Sequence, residues 1–297
     1  MKCAVCAVIG RPSVGKSTLV NTICEAKVSI TSPTPQTTRN AIRGIYTDSR
    51  GQIIFTDTPG WHISDKNFNK KMQEVAVKAL EDCDMVLYML DATRAPGDEE
   101  RNISYMLSGL SMPVICALNK RDILSPQSMD QAREYLSKAM PGRKVLEVSA
   151  LEDSGIDELL IELFSVAPEG ELLYDENTRT DQNLEFRISE IIREKAMNSV
   201  RQEIPHAVYV EISDLEYRKE DGKIWIRAFI ILERESQKGI MVGKGGENIK
   251  NIRKAAFSEI KRIFPGMKPE LDLRVRVNPK WKNDDRTLRG IFKETTG

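Results

Sequence analysis

The chain has 297 residues, of which 40% are hydrophobic and 30% charged, with 44 basic side chains balanced by 44 acidic ones. That length allows two domains, and that composition excludes a disordered or fibrous chain; no run of eighteen apolar residues exists, so no transmembrane helix is expected. The zero balance is unevenly spread: residues 1–182 carry 20 basic against 26 acidic side chains, residues 183–297 carry 24 against 18, and residues 238–293 alone carry 15 against 6.

The apolar run Ala4–Ile9 reads as a buried strand. Because it begins almost at the N-terminus, no signal peptide is expected and the cytosol is the expected compartment. Cys3 and Cys6 have zinc-like spacing, but no second cysteine pair or histidine cluster accompanies them. Residues three apart on a strand face opposite sides, so these two, with Cys24, Cys83 and Cys116, are expected to be reduced thiols, mostly buried.

Between this strand and a helix-competent run, Ser17–Glu25, lies Gly10-Arg11-Pro12-Ser13-Val14-Gly15-Lys16-Ser17. This is the Gly-x-x-x-x-Gly-Lys-Ser phosphate loop in its strand–loop–helix setting. Gly10, Ser13, Val14, Gly15, Lys16, Ser17 and Thr18 form the expected cradle, with backbone N–H groups and a helix N-terminus aimed at phosphate oxygens. Lys16 can reach the β- and γ-phosphates, and the Ser17 hydroxyl can bind magnesium.

Strands are expected at Ile42–Thr47 and Gln52–Thr56, around a turn at 48–51. Asp57-Thr58-Pro59-Gly60 follows: Asp57 can hold magnesium through water, and the Gly60 N–H can approach the γ-phosphate. A helix Phe68–Glu81, a strand Met85–Leu90, a helix near Asp98–Leu110 and a strand Pro113–Leu118 come next. Asn119-Lys120-Arg121-Asp122 then offers a guanine reader. Asp122 can accept both N1–H and the 2-amino group, Asn119 can bond purine N7 and neighbouring loops, and the Lys120 stem can cover the base. Adenine lacks the donor pair, so a buried carboxylate would go unpaired. A helix Gln127–Ala139 and a strand Val145–Val148 lead to Ser149-Ala150-Leu151, where the Ala150 N–H can donate to guanine O6; a helix Gly155–Phe164 closes the series. Alternating strands and helices imply an α/β fold with a mostly parallel sheet covered on both faces and ligands beyond the carboxyl ends of the strands.

The first domain is expected over 1–167, a polar linker over 168–182 and a second domain over 183–297. The second reads as a helix Asn183–Arg201, strands Val208–Glu216 and Lys223–Leu232 joined by a turn at 219–222, a glycine-rich turn, a helix Glu247–Phe264, a strand Asp272–Val277 and a short helix within Trp281–Phe292. Gly243-Lys244-Gly245-Gly246 opens the long helix, a Gly-x-x-Gly loop that lets a sugar-phosphate backbone pass close. Ile240, Val242, Ile249 and Ile252 can present an apolar surface to unstacked bases, and the basic balance of this third suits a polyanion. The same charge also suits anionic lipid, so peripheral contact with the inner face of the cell membrane stays open.

The order of the signatures at strand ends resembles that of the translation-factor-related GTPases, and the second half resembles a type II KH domain. Together, and with the tail Trp281-Lys282-Asn283-Asp284-Asp285-Arg286, the chain resembles the Era family over nearly its whole length. The resemblance implies a P-loop GTPase domain followed by an α+β KH domain, GTP and GDP with Mg2+ as ligands, and a monomer that binds the 3′ end of small-subunit (16S) ribosomal RNA and assists maturation of the 30S subunit. It makes Gln36-Thr37-Thr38-Arg39 the first switch, with Thr38 favoured over Thr37 as the magnesium and γ-phosphate sensor. Lys16, Thr38 and Gly60 would then be catalytic, and Ser17, Thr38 and Asp57 would hold the metal. RNA would be met by Ile240, Val242, Gly243, Lys244, Gly245, Gly246, Lys250, Arg253, Trp281, Lys282 and Arg286.

One departure concerns potassium. Many Era-like proteins have Asn where this chain has Ser13, and that Asn is associated with a K+ ion that assists hydrolysis; Ser13 puts the K+ requirement in doubt. Trp61, after Gly60, cannot orient water as a glutamine would, and His62, Arg39 and Arg43 are left without roles. The rival to an RNA-responsive GTPase is a mainly structural RNA chaperone whose nucleotide is a fold ligand.

Overall fold

The structure, a computed structural model, describes residues 1–61, 67–123, 125–201, 204–218, 220 and 222–292. Among the described residues, β1 (Lys2–Ile9), β2 (Ile42–Asp48), β3 (Gly51–Asp57), β4 (Met85–Asp91), β5 (Val114–Asn119) and β6 (Val145–Glu147) form one sheet in the order β2-β3-β1-β4-β5-β6. Only the β2–β3 pair is antiparallel. Every residue of β3, β4 and β5 is buried, which is why these strands read as continuous apolar runs rather than alternating ones.

Helices α1 (Lys16–Ile23), α2 (Asn67–Glu81), α3 (Asp98–Ser108), α4 (Pro126–Ala139) and α5 (Ile156–Val166) flank the sheet. Leu19, Val20 and Ile23 of α1 join Leu159, Leu160, Leu163 and Phe164 of α5 in one apolar cluster with Val8, Phe55 and Leu87. Ile103 and Leu107 of α3 and Met129, Ala132 and Leu136 of α4 cover the other face, against Ile9, Val86, Tyr88 and Leu90. Cys6 lies in the first of these clusters, whereas Cys3 packs separately with Ile45 and Ile54; all five cysteines are free thiols, and burial pushes the Cys6 thiol far up.

The expected linker is part of the first unit, which is built from Met1–Thr31 and Pro35–Asp181. Residues 168–181 are held to this sheet. Cys3 N–H donates to Pro168 O (3.0 Å), Gly170 N–H to Met1 O (2.9 Å) and Ile45 N–H to Arg179 O (2.9 Å). Buried Gln52 accepts from the Leu173 and Tyr174 N–H groups, each at 3.0 Å, and donates to Tyr174 O at 2.9 Å. Arg43 pairs with Asp181 (3.1 Å) and with the Tyr174 hydroxyl. The segment that suggested a tether is instead bonded to the start of β1, to the Gln52 side chain of β3 and, on the edge strand β2, to the Ile45 N–H and the Arg43 side chain.

Residues 182–292, with Ser32–Thr34, form a second unit. Its elements are α6 (Leu184–Asn198), β7 (Tyr209–Arg218), β8 (Lys223–Leu232), α7 (Glu235–Val242), α8 (Glu247–Ile263), β9 (Lys268–Val277) and α9 (Asp285–Ile291). The sheet order is β7-β8-β9, antiparallel then parallel, and the succession α–β–β–α–α–β is that of a type II KH domain. The expected turn at 219–222 lies partly outside the described residues. Helix α7 was missed in the sequence: eight residues bury only Met241, leaving no apolar stripe to read. Its one local cue is Gln237, whose side chain accepts from the Glu233 and Arg234 N–H groups, each at 3.0 Å, and so caps the helix start.

Candidate nucleotide site and nucleic-acid interface

The carboxyl ends of β1, β3, β4, β5 and β6 lie along one rim of the sheet, and the loop 10–15 leaves β1 where the strand order reverses, the usual ligand position in such sheets. Gly15 caps α1 at φ +101, a conformation in which a Cβ would sit 2.3 Å from the Asn119 amide nitrogen. Ser13, exposed, also has a left-handed backbone at φ +63. Val14 is fully buried beneath the loop, and Thr18 follows on the first turn of α1. Lys16 is buried, and its ammonium donates to Gly10 O (2.9 Å) and Arg11 O (3.1 Å) across the loop mouth. Burial lowers its pKa to about 8, against the pull of Asp57. An anionic phosphate here would restore the charge that burial penalises.

Three oxygens converge beside it. Ser17 Oγ donates to Asp57 Oδ2 (2.7 Å) and lies 2.8 Å from Thr38 Oγ1, which itself donates to Asp57 Oδ2 at 3.3 Å. Asp57 is fully buried, its other oxygen makes no well-formed hydrogen bond although the Ser29 hydroxyl is close, and burial raises its pKa despite Lys16. A buried carboxylate oxygen left unsatisfied beside two hydroxyls suits a hard divalent cation. Mg2+ characteristically takes one or two protein oxygens and completes its shell with water and phosphate. Among the described residues no cluster of His, Cys, Asp or Glu offers an alternative all-protein cage. Gly60 is anchored at the loop, since the next N–H, of Trp61, donates to Gly10 O at 3.1 Å. Arg39 is buried, its guanidinium 5.1 Å from the centre of the Phe68 ring. His62 lies outside the described residues.

The base-reading turn is tied to both neighbours. Asn119 donates to Val14 O (2.7 Å) and accepts from the Ala150 N–H (2.9 Å). The Ala150 donor, expected to meet guanine O6, is thus committed here to Asn119, because a buried N–H needs a partner. Ser149 Oγ donates to Asp122 Oδ1 at 2.6 Å, while Asp122 itself is exposed and Leu151 stands out at 75% exposure on the rim. Lys120 pairs with Asp91 at 2.7 Å.

In the second unit, Gly243 follows α7 at φ +75, and a Cβ there would lie 2.8 Å from the Asn248 Cβ. Gly245 and Gly246 have left-handed backbones with open space around them. Asn248, overlooked in the sequence, donates to Met241 O (3.0 Å) and so clamps the end of α7 to the start of α8 around the loop. Lys244, Lys250 and Arg253 are exposed and have no ion pair among the described residues. Ile240 is 55% exposed beside them, Val242 is half-buried and Arg286 is exposed on α9.

Two expectations are corrected, those for Ile252 and Trp281. Ile252 belongs to the core rather than to a base-facing surface, as the inward stripe of α8 with Ala256 and Ile260 requires. Lys282 pairs with Glu233 at 2.9 Å and stays partly exposed. Trp281 is fully buried, with its indole N–H on Ala207 O (3.2 Å) and its ring centre 4.9 Å from that of Tyr209, which leaves no face for RNA. Trp281→Phe should therefore lower the unfolding free energy of this unit by about 1–3 kcal/mol, the cost of a buried carbonyl without its donor. Urea denaturation checks this, and RNA affinity well below the transition should match that of the parent.

A family model described as a 50S ribosome-binding GTPase matches residues 5–120, and a KH domain model matches residues 203–282. GTPase Era of Treponema denticola is 47% identical over 98% of this chain and 99% of its own length. GTPase Era of Borreliella burgdorferi is 40% identical over 98% of this chain and 100% of its own. Among solved structures, a tyrosine-to-alanine variant of Aquifex aeolicus Era bound to GDP·AlF4− is similar at a TM-score of 0.92 and 35% identity, covering 97% of this chain and 98% of that one. An Era structure in complex with MgGDPNP and nucleotides 1506–1542 of 16S ribosomal RNA is similar at a TM-score of 0.93 and 35% identity, with coverage of 97% and 98%.

Proposed function

The chain belongs to the Era family of GTPases, and on that premise we propose that it hydrolyses GTP with Mg2+ and binds the 3′ end of 16S ribosomal RNA during maturation of the 30S subunit. The observation that carries the nucleotide half is the trio of Ser17, Thr38 and Asp57 with its unsatisfied carboxylate oxygen, set beside buried Lys16. Ser17, Thr38 and Asp57 would hold Mg2+, which when bound neutralises charge on the phosphate oxygens. Lys16 binds the β- and γ-phosphate oxygens, and the Gly60 N–H faces the γ-phosphate. Asp122 reads the guanine N1–H and 2-amino group, and the Lys120 stem covers the base. Thr38, on the first switch, links metal and γ-phosphate, so its loop senses which nucleotide is bound. Trp61 offers no water-orienting amide, so backbone groups, the first switch, a cation or a partner must place the attacking water.

The RNA half is supported by the Gly-x-x-Gly loop and by the exposed cations Lys244, Lys250 and Arg253 at the start of α8. Calorimetric titration with GTP, with and without Mg2+, tests the first half; no heat from folded protein would refute it. RNA affinity compared between a non-hydrolysable GTP analogue and GDP tests the switch, and equal affinities would favour the chaperone with nucleotide as a fold ligand. The protein acts as a monomer in the cytoplasm on this reading. No helix among the described residues is long and apolar enough to cross a membrane. Anionic vesicles added to the RNA titration show whether lipid competes for the same cations.

Ser13 presents one short hydroxyl where a longer amide would reach a monovalent cation. Phosphate release is therefore expected to be the same in KCl and NaCl, with Ser13→Asn introducing stimulation by K+. Stimulation of the parent protein by K+ would overturn this.

A further inference from the structure

Lys120, in the guanine-reading turn, has its backbone at φ +69, a left-handed conformation that lysine rarely adopts. Such a backbone persists only where its surroundings hold it. The register of the sheet supplies the holder. Asp91, the last residue of β4, lies directly beside Asn119, the last of β5, and its Oδ2 accepts from the Lys120 ammonium at 2.7 Å. Asp91 is itself fixed through its other oxygen, which accepts from the Thr93 N–H (3.0 Å) and hydroxyl (2.6 Å).

The same carboxylate oxygen meets a second cation. Arg11, from the phosphate loop, lies 3.4 Å from Asp91 Oδ2 and pairs through Nε with Glu100 on the first turn of α3. Glu100 in turn accepts from the Gly97 N–H at 2.8 Å and caps that helix. Arg11, Asp91 and Glu100 side chains are 2%, 7% and 8% exposed. Two cations and two carboxylates thus form a neutral, largely buried quartet that joins the phosphate loop, the ends of β4 and β5, and α3.

We propose that Asp91 is the positioning residue for Lys120: it holds the lysine stem over the base and, through Arg11, ties the base-reading turn to the phosphate loop. This rests on Lys120 covering a guanine base as proposed above. Asp91 touches no nucleotide on this account; it acts only through Lys120 and Arg11. Lys120 packs on the purine plane, whereas Asp122 reads the 2-amino group, so loss of Asp91 should weaken every purine nucleotide that Asp122 admits without changing the discrimination of GTP from inosine triphosphate, which lacks that amino group.

A double-mutant cycle on the full-length protein tests this, read as dissociation of a fluorescent GDP. Asp91→Asn should speed dissociation about ten- to hundredfold, the range for loss of a charge-assisted hydrogen bond. In a Lys120→Ala background the same change should have a clearly smaller effect, limited to what passes through Arg11, and the GTP-to-inosine-triphosphate affinity ratio should match that of the parent. Equal acceleration in both backgrounds, or no acceleration in either, would overturn the proposal, as would a changed ratio. If the Asn variant does not fold, Asp91→Glu keeps the charge one methylene further out, and its coupling to Lys120 decides. A parent protein that binds no guanine nucleotide would remove the proposed function itself, a result distinct from any of these.

Discussion

Asp122→Asn should convert a site selective for GTP into one that prefers xanthosine triphosphate. The carboxylate is exposed on the rim, one of its oxygens held at 2.6 Å by the Ser149 hydroxyl. Guanine presents two donors to it, N1–H and the 2-amino group. Xanthine replaces the amino group by a carbonyl, which a carboxylate repels and an amide N–H satisfies. A site built to bond a given donor can reject the analogue lacking it by about 10⁴–10⁵-fold, because its own polar group is left unpaired. The swap from Asp to Asn reverses which nucleotide leaves a group unpaired, so the preference should move toward xanthosine triphosphate, by less than that range because Asp122 is exposed and water can meet the group left over. An amide can still accept from Ser149, and the residue is exposed, so folding should be unaffected. Competition of GTP and xanthosine triphosphate against a fluorescent guanine nucleotide gives the ratio directly, and an unchanged ratio would remove Asp122 from guanine recognition.

That prediction could be written from the sequence because the residues concerned are local. Strand, loop and helix periods placed Lys16, Asp57, Asn119 and Ser149 at strand ends, and the parallel sheet brings those ends to one rim whatever the details of packing. What could not be read depends on partners distant in the chain. Asp91 lies just past the strand expected at Met85–Leu90, and Glu100 inside the helix expected near Asp98–Leu110, so neither stands out; only the β4–β5 register and the path of the phosphate loop bring them to Lys120 and Arg11. Trp281 was expected to meet RNA only through the resemblance of its tail, and its burial is a tertiary property fixed by Ala207 and Tyr209. Residues 168–181 carried the composition of a tether, and their polar groups turned out to be matched to Gln52, Arg43 and the backbone of the sheet edge. Polarity reports that a group needs a partner. It does not report whether that partner is water or protein.

Gly245→Asp should strongly impair RNA binding while leaving the nucleotide site intact. The position is chosen over Gly243 on geometric grounds. A side chain at Gly243 would collide with Asn248, whose amide clamps α7 to α8, so a loss there would report misfolding. At Gly245, φ is +62 and nothing lies within 4 Å of where a Cβ would be. Aspartate is among the residues that tolerate this left-handed region, so the loop can keep its shape. The new carboxylate would sit between Lys244 and the N-terminus of α8, where a sugar-phosphate backbone is expected to pass. Setting like charges against each other in an interface costs several kcal/mol, which at 1.4 kcal/mol per decade is a loss of about a thousandfold in affinity. The change also cancels one positive charge, so the slope of log affinity against log salt for whatever binding survives should become shallower. Filter binding or fluorescence anisotropy with a single-stranded RNA matching the 3′ end of 16S ribosomal RNA, over a salt series, measures both quantities. GTP affinity should equal that of the parent; loss of GTP binding as well would mean that the variant had not folded, and full RNA affinity would mean that the backbone does not pass over this loop.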